Sequence, residues 1–352
     1  MTVIPVSLDK GYQVHIGRGL LTRAGALIRS VSAARTVALI SDDRVYPLYG
    51  TALADSLAAA GFAVVSFTFP NGERSKNLRT YCDILDFLAQ NRLSRTDLVV
   101  ALGGGVVGDL AGFAAATYLR GIGCVQIPTT LLAAVDSSVG GKTGVDLPAG
   151  KNLAGAFAQP RLVLCDPDTF ETLEPAVFRD GCAEVIKYGL LGDRDFFDSL
   201  LRTPAAQQIE TVVASCVRMK RDLVQRDPFD TGDRRLLNLG HTVGHAVETC
   251  SDYTVSHGAA VAMGMAAITR AAVKQNICTE DTLTAVLDIL NRYDLPTELP
   301  YTAARLAEAA ASDKKIAGGA VHLILPETVG RCRIHPVPAA QLEAWLRDGG
   351  AP

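Results

Sequence analysis

The stretch Asp97-Leu-Val-Val-Ala-Leu-Gly-Gly-Gly-Val-Val-Gly-Asp109 leads from an apolar run into a glycine-rich turn. Residues 97–102 have the composition of a buried strand, residues 103–108 satisfy the pattern G-x-G-x-x-G, and a helical pattern continues to Tyr118. This order is typical of dinucleotide-binding units, in which the helix N-terminus binds a pyrophosphate. The same pattern also fits a tight strand–helix turn that binds no ligand.

The motif lies later in the chain than the usual dinucleotide fingerprint, which opens the first βαβ unit. No acidic residue follows it at the usual strand end, so a dinucleotide bound here would indicate a variant of the usual fold. Asp42, at the end of the first predicted strand, is the better candidate for a contact with a ribose.

Strands and helices alternate on both sides of this stretch in the first half of the chain. Short β-type runs predict strands at 36–40 and 62–67, and helical spacing predicts helices at 48–60 and 78–90. Short strands separated by helices of this length indicate parallel βαβ units with right-handed crossovers.

The pattern changes from about Pro175. Long segments rich in Ala and Leu predict helices, namely at 209–225, 240–250, 258–275, 282–293 and 303–311. We therefore predict an α/β, Rossmann-like NAD-binding domain with a parallel sheet at 1–174. A mostly α-helical metal- and substrate-binding domain follows at 175–352, and we expect the active site in the cleft between the two.

Composition limits the classes of function. The length of 352 residues predicts about two domains, and 48% hydrophobic residues can form a core. A net charge of -3 leaves no basic surplus for a nucleic-acid backbone. The eight cysteines form no C-x-x-C pair, so we expect buried, reduced thiols. No signal-peptide pattern and no apolar run of about 18 residues is present, and we expect a soluble, cytoplasmic protein.

A second glycine-rich segment, Asp136-Ser-Ser-Val-Gly-Gly-Lys-Thr143, is similar to a P-loop. It fails that motif because Asp136 stands where the first glycine is required. We interpret it as a glycine-rich loop in which Asp136, Lys142, Lys151 and Asn152 lie close together. These groups suit a hydroxylated, phosphorylated small molecule, although a solvated loop has the same composition.

Three of the six histidines fall between residues 241 and 257. His241 and His245 are four residues apart on one helix face, a spacing that lets two imidazoles reach one point. With His257 they indicate a metal or acid–base site, because a divalent ion with open positions takes about three protein ligands. Glu184 and Glu248 are both candidates for a carboxylate ligand, and spacing does not choose between them.

Basic residues lie near each of these motifs, although any single one is most often a solvent-facing charge. Together they predict a doubly anionic substrate. They are Arg120, Lys142, Lys151, Lys187, Lys220, Arg234, Lys314 and Lys315.

These segments belong to longer blocks: Gly103-Gly-Gly-Val-Val-Gly-Asp109, Ala114-Ala-Ala-Thr-Tyr-Leu-Arg-Gly121, Pro128-Thr-Thr-Leu-Leu132, Asp136-Ser-Ser-Val-Gly-Gly-Lys-Thr-Gly144, Gly150-Lys-Asn152, Ala183-Glu-Val-Ile-Lys187, Leu237-Asn-Leu-Gly-His-Thr242 and Asp313-Lys-Lys315. Over nearly its whole length the chain resembles the 3-dehydroquinate synthases, a family of sugar phosphate cyclases.

The resemblance implies roles for individual residues. Glu184, His241 and His257 correspond to the ligands of one divalent metal, zinc or cobalt, which leaves His245 for substrate contact or proton transfer and Glu248 for a structural role. The implied NAD site consists of Asp42, Glu73, Lys76, Gly105, Val106, Val107, Gly108, Asp109, Thr129, Thr130, Lys142, Lys151, Thr169 and Thr172.

The implied substrate shell consists of Arg120, Asp136, Lys142, Asn152, Lys187, Lys220, Arg234, Asn238, His245 and one of Lys314 and Lys315. Within it the resemblance gives catalytic roles to Lys187, His245, Asp136, Asn238 and Lys142. The residue that corresponds to Arg120 reaches a neighbouring subunit in this family, which implies a homodimer.

The implied reaction is the second step of the shikimate pathway. It converts 3-deoxy-D-arabino-heptulosonate 7-phosphate to 3-dehydroquinate and phosphate, and the enzyme class is a phosphate-eliminating lyase. NAD removes a hydride, phosphate leaves by β-elimination, the hydride returns, the ring opens and an aldol step closes the carbocycle. NAD is therefore regenerated in each turnover.

Two segments depart from the family pattern. Leu173-Glu-Pro-Ala-Val177 replaces Leu-Pro-x-Arg-Glu, and His257-Gly-Ala259 replaces His-Gly-Glu. Each change removes a carboxylate near the implied metal site, so the orientation of the ligands could differ.

Three other hypotheses compete with this one. Another sugar phosphate cyclase would take sedoheptulose 7-phosphate or glucose 6-phosphate. The presence of all the anion-binding positions favours a carboxylated substrate, namely Arg234, Asn238, His245, Lys314 and Lys315. A metal-dependent polyol dehydrogenase would release NADH stoichiometrically and needs no dense cationic shell. A non-catalytic relative would lack metal ligands, and every implied ligand is present.

Overall fold

The computed structural model describes residues 1–8, 10–311 and 319–352. The chain divides into two units, the first formed by Met1–Leu173 with Cys216–Phe229 and the second by Glu174–Ser215 with Asp230–Pro352. Residues 216–229 thus group with the N-terminal part although they follow the composition change at Pro175. The roles assigned to 1–174 and 175–352, and the cleft expected between them, stay predictions.

The first unit is built on a sheet. Its strands are β1 (Thr2–Val6), β2 (Tyr12–Ile16), β3 (Thr36–Asp42), β4 (Ala63–Phe69), β5 (Leu98–Gly103), β6 (Gly123–Pro128), β7 (Lys142–Leu147), β8 (Gly150–Phe157) and β9 (Leu162–Cys165). Seven of them form one sheet in the order β1-β2-β9-β6-β5-β3-β4, and every neighbouring pair except β1 and β2 is parallel. The predicted parallel α/β architecture is confirmed.

Helices cover both faces of this sheet. They are α1 (Leu20–Val31), α2 (Thr51–Ala59), α3 (Leu78–Gln90) and α4 (Gly105–Thr117). Successive residues of β3 point to opposite faces. Leu39 packs in one core with Leu57 of α2, whereas Ile40 packs in the other with Leu88 of α3. The apolar run at 36–40 is therefore continuous because both of its faces are covered.

The prediction of a loop over residues 136–152 is wrong for most of this segment. Residues 133–137 form a π-helical turn, and β7 and β8 then pair as an antiparallel hairpin. No residue of β8 is fully buried, so the strand has no apolar face that could produce an alternating sequence pattern.

Helices dominate the second unit, with one further hairpin. The helices are α5 (Pro175–Gly192), α6 (Arg194–Arg202), α7 (Ile209–Arg226), α8 (His241–Cys250), α9 (His257–Lys274), α10 (Glu280–Arg292), α11 (Ala303–Ala311) and α12 (Leu342–Asp348). Of these, α7 has residues in both units. The hairpin consists of β10 (Ala320–Thr328) and β11 (Arg331–Pro338). The five helices predicted here are confirmed to within a few residues. α9 lies against α5, α8, α10 and α12, and it is buried along most of its length.

All eight cysteines are described and none forms a disulfide; six are buried, Cys332 is half-buried and Cys82 on α3 is exposed. Burial raises the pKa of Cys124 and of Cys182 to about 12, so both thiols stay protonated at neutral pH. Among the helices of the described residues, none is long and apolar enough to cross a bilayer.

Candidate functional site

Three helices of the second unit bring one carboxylate and two imidazoles together. Glu184 lies in the middle of α5, His241 is the first residue of α8 and His257 is the first residue of α9. Oε1 of Glu184 lies 3.3 Å from Nε2 of His241 and 3.3 Å from Nε2 of His257. The carboxylate is fully buried.

Two glycines make this convergence possible. Gly240 has φ 77°, a backbone conformation that favours glycine, and it directs the chain into α8 at His241. A Cβ on Gly258 would lie 2.1 Å from the carbonyl oxygen of Asp180 in α5. The start of α9 can therefore approach α5 closely, and this brings His257 next to Glu184.

A backbone carbonyl orients the ring of His241. Its Nδ1 lies 3.0 Å from the carbonyl oxygen of Leu239, which is the geometry of an N–H that donates. Nε2 then carries the lone pair that faces Glu184. Burial lowers the pKa of His241 to about 4, so the ring is neutral at pH 7.

His257 lies between two carboxylates. Its Nδ1 is 3.3 Å from Oε2 of Glu248, and its Nε2 faces Glu184. Burial alone would lower the pKa of His257, but Glu184 and Glu248 outweigh it and raise that pKa to about 10.

Lys187, one turn along α5, completes the group. Its Nζ contacts the other carboxylate oxygen of Glu184, and both side chains are buried. Burial alone would raise the pKa of Glu184, but Lys187 and His241 hold it well below its usual range. The carboxylate is therefore charged and has a cation on one side.

The residues fit a divalent metal. Ligands around a tetrahedral zinc ion lie about 2.0–2.1 Å from it, which places neighbouring ligand atoms about 3.3 Å apart. The two Oε1–Nε2 distances match this spacing. Oε1 of Glu184 is buried without a hydrogen-bond partner among the described residues, and an ion next to it would supply one, while Oε2 contacts Lys187.

His245 belongs to a neighbouring group. Its ring centroid lies 5.5 Å from that of His241 and 6.0 Å from that of His257. Its ligand atoms group with those of Glu248 and His257, apart from the Glu184 cluster. The helical spacing of His241 and His245 thus brings them close, but the second imidazole that faces Glu184 is His257.

The glycine-rich turn of the first unit leads into α4 as predicted. Gly105 begins the helix, and Gly104 at the N-cap supplies no side-chain acceptor for its first amides. Thr129 follows β6 next to this turn, and its amide donates to Gly103 at 3.0 Å. Its Oγ1 is buried without a hydrogen-bond partner. Uncapped amides and an unpartnered hydroxyl suit an anionic ligand with hydroxyl groups.

Charged residues predicted for the NAD site lie in pairs. Nζ of Lys76 lies 2.6 Å from Oδ2 of Asp109, and Nζ of Lys151 lies 3.4 Å from Oε1 of Glu73. Burial alone would lower the pKa of Lys76, but Asp109 and Glu73 raise it, so the ammonium stays charged.

Asp42 ends β3 as predicted, and its carboxylate is already engaged. Oδ1 accepts from the amides of Arg44 at 3.0 Å and Val45 at 2.7 Å, and Oδ2 accepts from Nδ2 of Asn71 at 3.1 Å. Thr172 lies elsewhere in the unit, where its hydroxyl is 2.6 Å from that of Tyr49. Tyr49 also donates to the carbonyl of Thr169 at 3.2 Å.

The residues of the implied substrate shell fall in both units. Asp136 lies in the π-helical turn, and its Oδ1 is 2.5 Å from Nζ of Lys220 on α7. Asn152 on β8 donates its amide to Asp146 at 2.8 Å, and Lys142 is exposed at the start of β7.

Arg120 follows α4 and has φ 68° directly after Leu119 with φ 51°, two consecutive left-handed residues. Arg234 is buried in the short helix Asp233–Asn238, which also carries Asn238. Lys314 and Lys315 lie outside the described residues.

Three contacts were missed at the sequence level. Asn71 donates a hydrogen bond to Asp42, and the turn sequence Pro70-Asn71-Gly72 is the feature that could have pointed to it. Tyr49 holds Thr172, and no sequence signal marks it. Asp180 accepts at Oδ1 from the hydroxyl of Ser256 at 2.5 Å and from the amide of Ala259 at 3.1 Å. Asp180 thus supplies a carboxylate at the N-terminus of α9 where residue 259 has none.

The family model of the 3-dehydroquinate synthase N-terminal domain matches residues 66–180, and that of the C-terminal domain matches residues 181–316. The chain belongs to the 3-dehydroquinate synthase family. The 3-dehydroquinate synthase of Enterococcus faecalis is 42% identical over 346 residues, which cover 96% of this chain and 97% of the relative. The predicted family, and with it the predicted activity and lyase class, are confirmed.

Solved structures of related cyclases share the fold of this family member. A 2-deoxy-scyllo-inosose synthase with carbaglucose-6-phosphate, NAD+ and Co2+ has a TM-score of 0.89 and 26% identity, over 99% of this chain and 100% of that one. The 2-epi-5-epi-valiolone synthase of Streptomyces hygroscopicus, with NAD+ and Zn2+, has a TM-score of 0.86 and 30% identity, over 99% and 98%.

Proposed function

We propose that this chain is a cytoplasmic enzyme that converts 3-deoxy-D-arabino-heptulosonate 7-phosphate to 3-dehydroquinate and phosphate. The observation that carries the proposal is the cluster in which Glu184 faces His241 and His257 at 3.3 Å, with Lys187 on its other oxygen. A chain that belongs to this family and retains such a cluster has the donor set that the reaction needs.

Glu184, His241 and His257 would hold one zinc or cobalt ion. One carboxylate and two imidazoles are a donor set of catalytic sites that keep a position open for a ligand. When bound, the ion polarises a substrate hydroxyl as a Lewis acid, and NAD carries the hydride. Lys187 keeps Glu184 ionised, and Leu239 keeps Nε2 of His241 directed at the site.

NAD would bind to the first unit. The uncapped start of α4 offers amides to the pyrophosphate, and Thr129 offers its buried Oγ1. Asp42, held at the end of β3 by Asn71, offers its carboxylate oxygens as acceptors to ribose hydroxyls. The remaining members of this site are Glu73, Lys76, Val106, Val107, Gly108, Asp109, Thr130, Lys142, Lys151, Thr169 and Thr172.

Cationic side chains would bind the two anionic ends of the substrate. In the second unit Arg234 is buried, and its planar guanidinium matches a carboxylate or a phosphate in a bidentate manner. In the first unit Lys220 is fixed by Asp136, so its ammonium is already positioned. Binding of the anionic groups of the substrate orients its reacting atoms, and such positioning can lower the activation free energy by roughly 7–11 kcal/mol. Arg120, Lys142, Asn152, Asn238 and His245 would complete the contacts.

The alternative is that the chain cyclises a different sugar phosphate, because the two solved structures above are cyclases that form other products. The identity of 42% to a 3-dehydroquinate synthase against 26–30% to these enzymes favours the carboxylated substrate. We also propose a homodimer in which Arg120 reaches the partner's site, as the family resemblance implies; Arg120 follows α4 with a left-handed backbone of φ 68°.

The test is one incubation of the purified chain with catalytic NAD, zinc and the heptulosonate phosphate. We expect one phosphate released per 3-dehydroquinate formed, with no accumulation of NADH. Parallel incubations use sedoheptulose 7-phosphate and glucose 6-phosphate, and His241→Ala is the inactive control. Phosphate release from either of these sugars but not from the heptulosonate would establish the alternative, and stoichiometric NADH would indicate a dehydrogenase.

A further inference from the structure

We propose that Glu248 is a positioning residue that orients the ring of His257 toward the metal. The inference rests on the metal site of the proposed function and extends it to a residue that is not one of the three proposed ligands. It is argued from the position of Glu248 on α8, from its contact with the ring, and from its burial.

Glu248 reaches His257 from the side opposite to the proposed ion. Its Oε2 lies 3.3 Å from Nδ1, while Nε2 on the other side of the ring lies 3.3 Å from Oε1 of Glu184. The imidazole is thus held between two carboxylates, one from α8 and one from α5.

The same helix serves two ligands in different ways. His241 opens α8, and Glu248 lies seven residues later, which places both on one face of the helix. α8 therefore supplies one ligand directly and orients the second through Glu248. A shift of this helix would move both groups at once.

The chemistry of the ring gives this contact a role. When Nδ1 carries the proton and donates to Glu248, Nε2 is left with a lone pair for the ion. A carboxylate behind a ligating imidazole fixes its tautomer and increases its basicity, and its loss typically costs 10–100-fold in metal affinity. Glu248 is buried, so its charge acts on the ring with little screening by water.

One other role for Glu248 must be separated from this one. His245, Glu248 and His257 have ligand atoms close enough to hold an ion themselves, in which case Glu248 would be a ligand. Nδ1 of His257 cannot donate to Glu248 and bind an ion at the same time. The number of ions bound per chain therefore distinguishes the two roles.

The experiment measures zinc affinity, by competition with a chromophoric chelator, for the metal-stripped full chain and its variants. We expect one zinc per chain and an affinity 10–100-fold lower in Glu248→Ala. Glu248→Gln should lose less, because an amide oxygen still accepts from Nδ1. The matched control is Glu327→Gln on β10, which contacts Arg331 and Arg333 and should bind zinc as the unmodified chain does.

A second readout is the visible spectrum of the cobalt-loaded protein, which should change in both Glu248 variants and not in the control. If Glu248→Ala does not fold, Glu248→Gln carries the test through the same affinity and spectrum. Wild-type affinity and spectrum in the folded Glu248 variants would overturn the inference, and so would two ions per unmodified chain. No zinc bound by the unmodified chain would overturn the metal site itself, before any variant is compared.

Discussion

His241 and His245 lie one turn apart on α8, yet their rings face different groups. His241 faces Glu184, whereas His245 groups with Glu248 and His257. His241 is the first residue of the helix, and its Nε2 lies 3.3 Å from Oε1 of Glu184 on α5. Residues of one type within one turn can therefore be assigned different roles.

The first prediction separates these roles. His257→Ala should abolish retention of zinc, because it removes one of three ligands. His245→Ala should retain zinc and lower turnover by roughly 10²–10⁴-fold, the contribution of a proton-transfer group. Metal content after dialysis and the rate of phosphate release check both variants. A His245→Ala protein that is purified without metal would show that this histidine is a ligand.

The second prediction concerns Asp97, which joins the start of β3 to the turn before β5. Its carboxylate is buried and accepts from the amides of Thr36 and Ser94, each at 2.7 Å. Burial alone would raise the pKa of Asp97, but these hydrogen bonds lower it. The ionised form is thus favoured in the folded state, and its contribution to stability is present above about pH 4 and is lost as pH falls below that.

Asp97→Asn should therefore lower the free energy of unfolding at pH 7 by roughly 1–3 kcal/mol. The difference from the unmodified chain should narrow as the pH falls below about 4. Thermal unfolding of the variant and the unmodified chain at pH 7 and at pH 3 measures this difference. Asp55→Asn on the exposed face of α2 is the control. An equal loss at pH 7 and pH 3 would exclude the carboxylate charge as the cause.

Residue types in the sequence identified the candidates, but not their contacts. The three histidines between 241 and 257 indicated a metal or acid–base site, and the carboxylate was left open between Glu184 and Glu248. In the structure both carboxylates contact His257, one at each ring nitrogen. Spacing along α8 could not reveal this, since Glu184 belongs to a helix more than fifty residues earlier in the chain.

At the scale of elements, the start of α9 depends on a neighbouring helix. Ser256 at the N-cap makes no side-chain capping bond, and Asp180 of α5 accepts from the amide of Ala259 instead. This contact lies two residues from His257. The stability of this helix end is therefore coupled to α5, which also carries Glu184.

The third prediction tests this contact. Asp180→Ala should lower the free energy of unfolding by about 1–2 kcal/mol, as expected for the loss of a helix cap. It should also speed amide hydrogen exchange over residues 257–260. Ser256→Ala, which removes one of the two bonds to Asp180, should have a smaller effect. Unchanged exchange in Asp180→Ala would contradict the assigned cap.

Elements with a buried face were predictable, and others were not. β3 and β5 are apolar runs covered on both sides, and α3 has an apolar stripe, so their sequences show the expected periods. The hairpin β7–β8 was missed because β8 has no buried face. The apolar run of β10 lies among Ala- and Leu-rich helices, where composition alone favours a helix.

At the scale of the whole molecule, the proposed dimer gives the fourth prediction. Arg120→Ala and His241→Ala should each be nearly inactive alone. If Arg120 acts in the partner's site, mixed dimers of these two variants contain one intact site, and the mixture should recover about a quarter of wild-type activity. Phosphate release after mixing and refolding measures this, with sedimentation to confirm the dimer. No recovery in a mixture shown to contain mixed dimers would place Arg120 in its own subunit's site.

Cys82 differs from the other thiols of the first unit because it is exposed on α3, whereas Cys124, Cys165 and Cys216 are buried. A maleimide dye would therefore attach to it in the folded enzyme without any prior mutagenesis. With a second fluorophore introduced into the C-terminal helices, energy transfer would then report, in solution and during turnover, whether the two halves of the molecule move relative to each other.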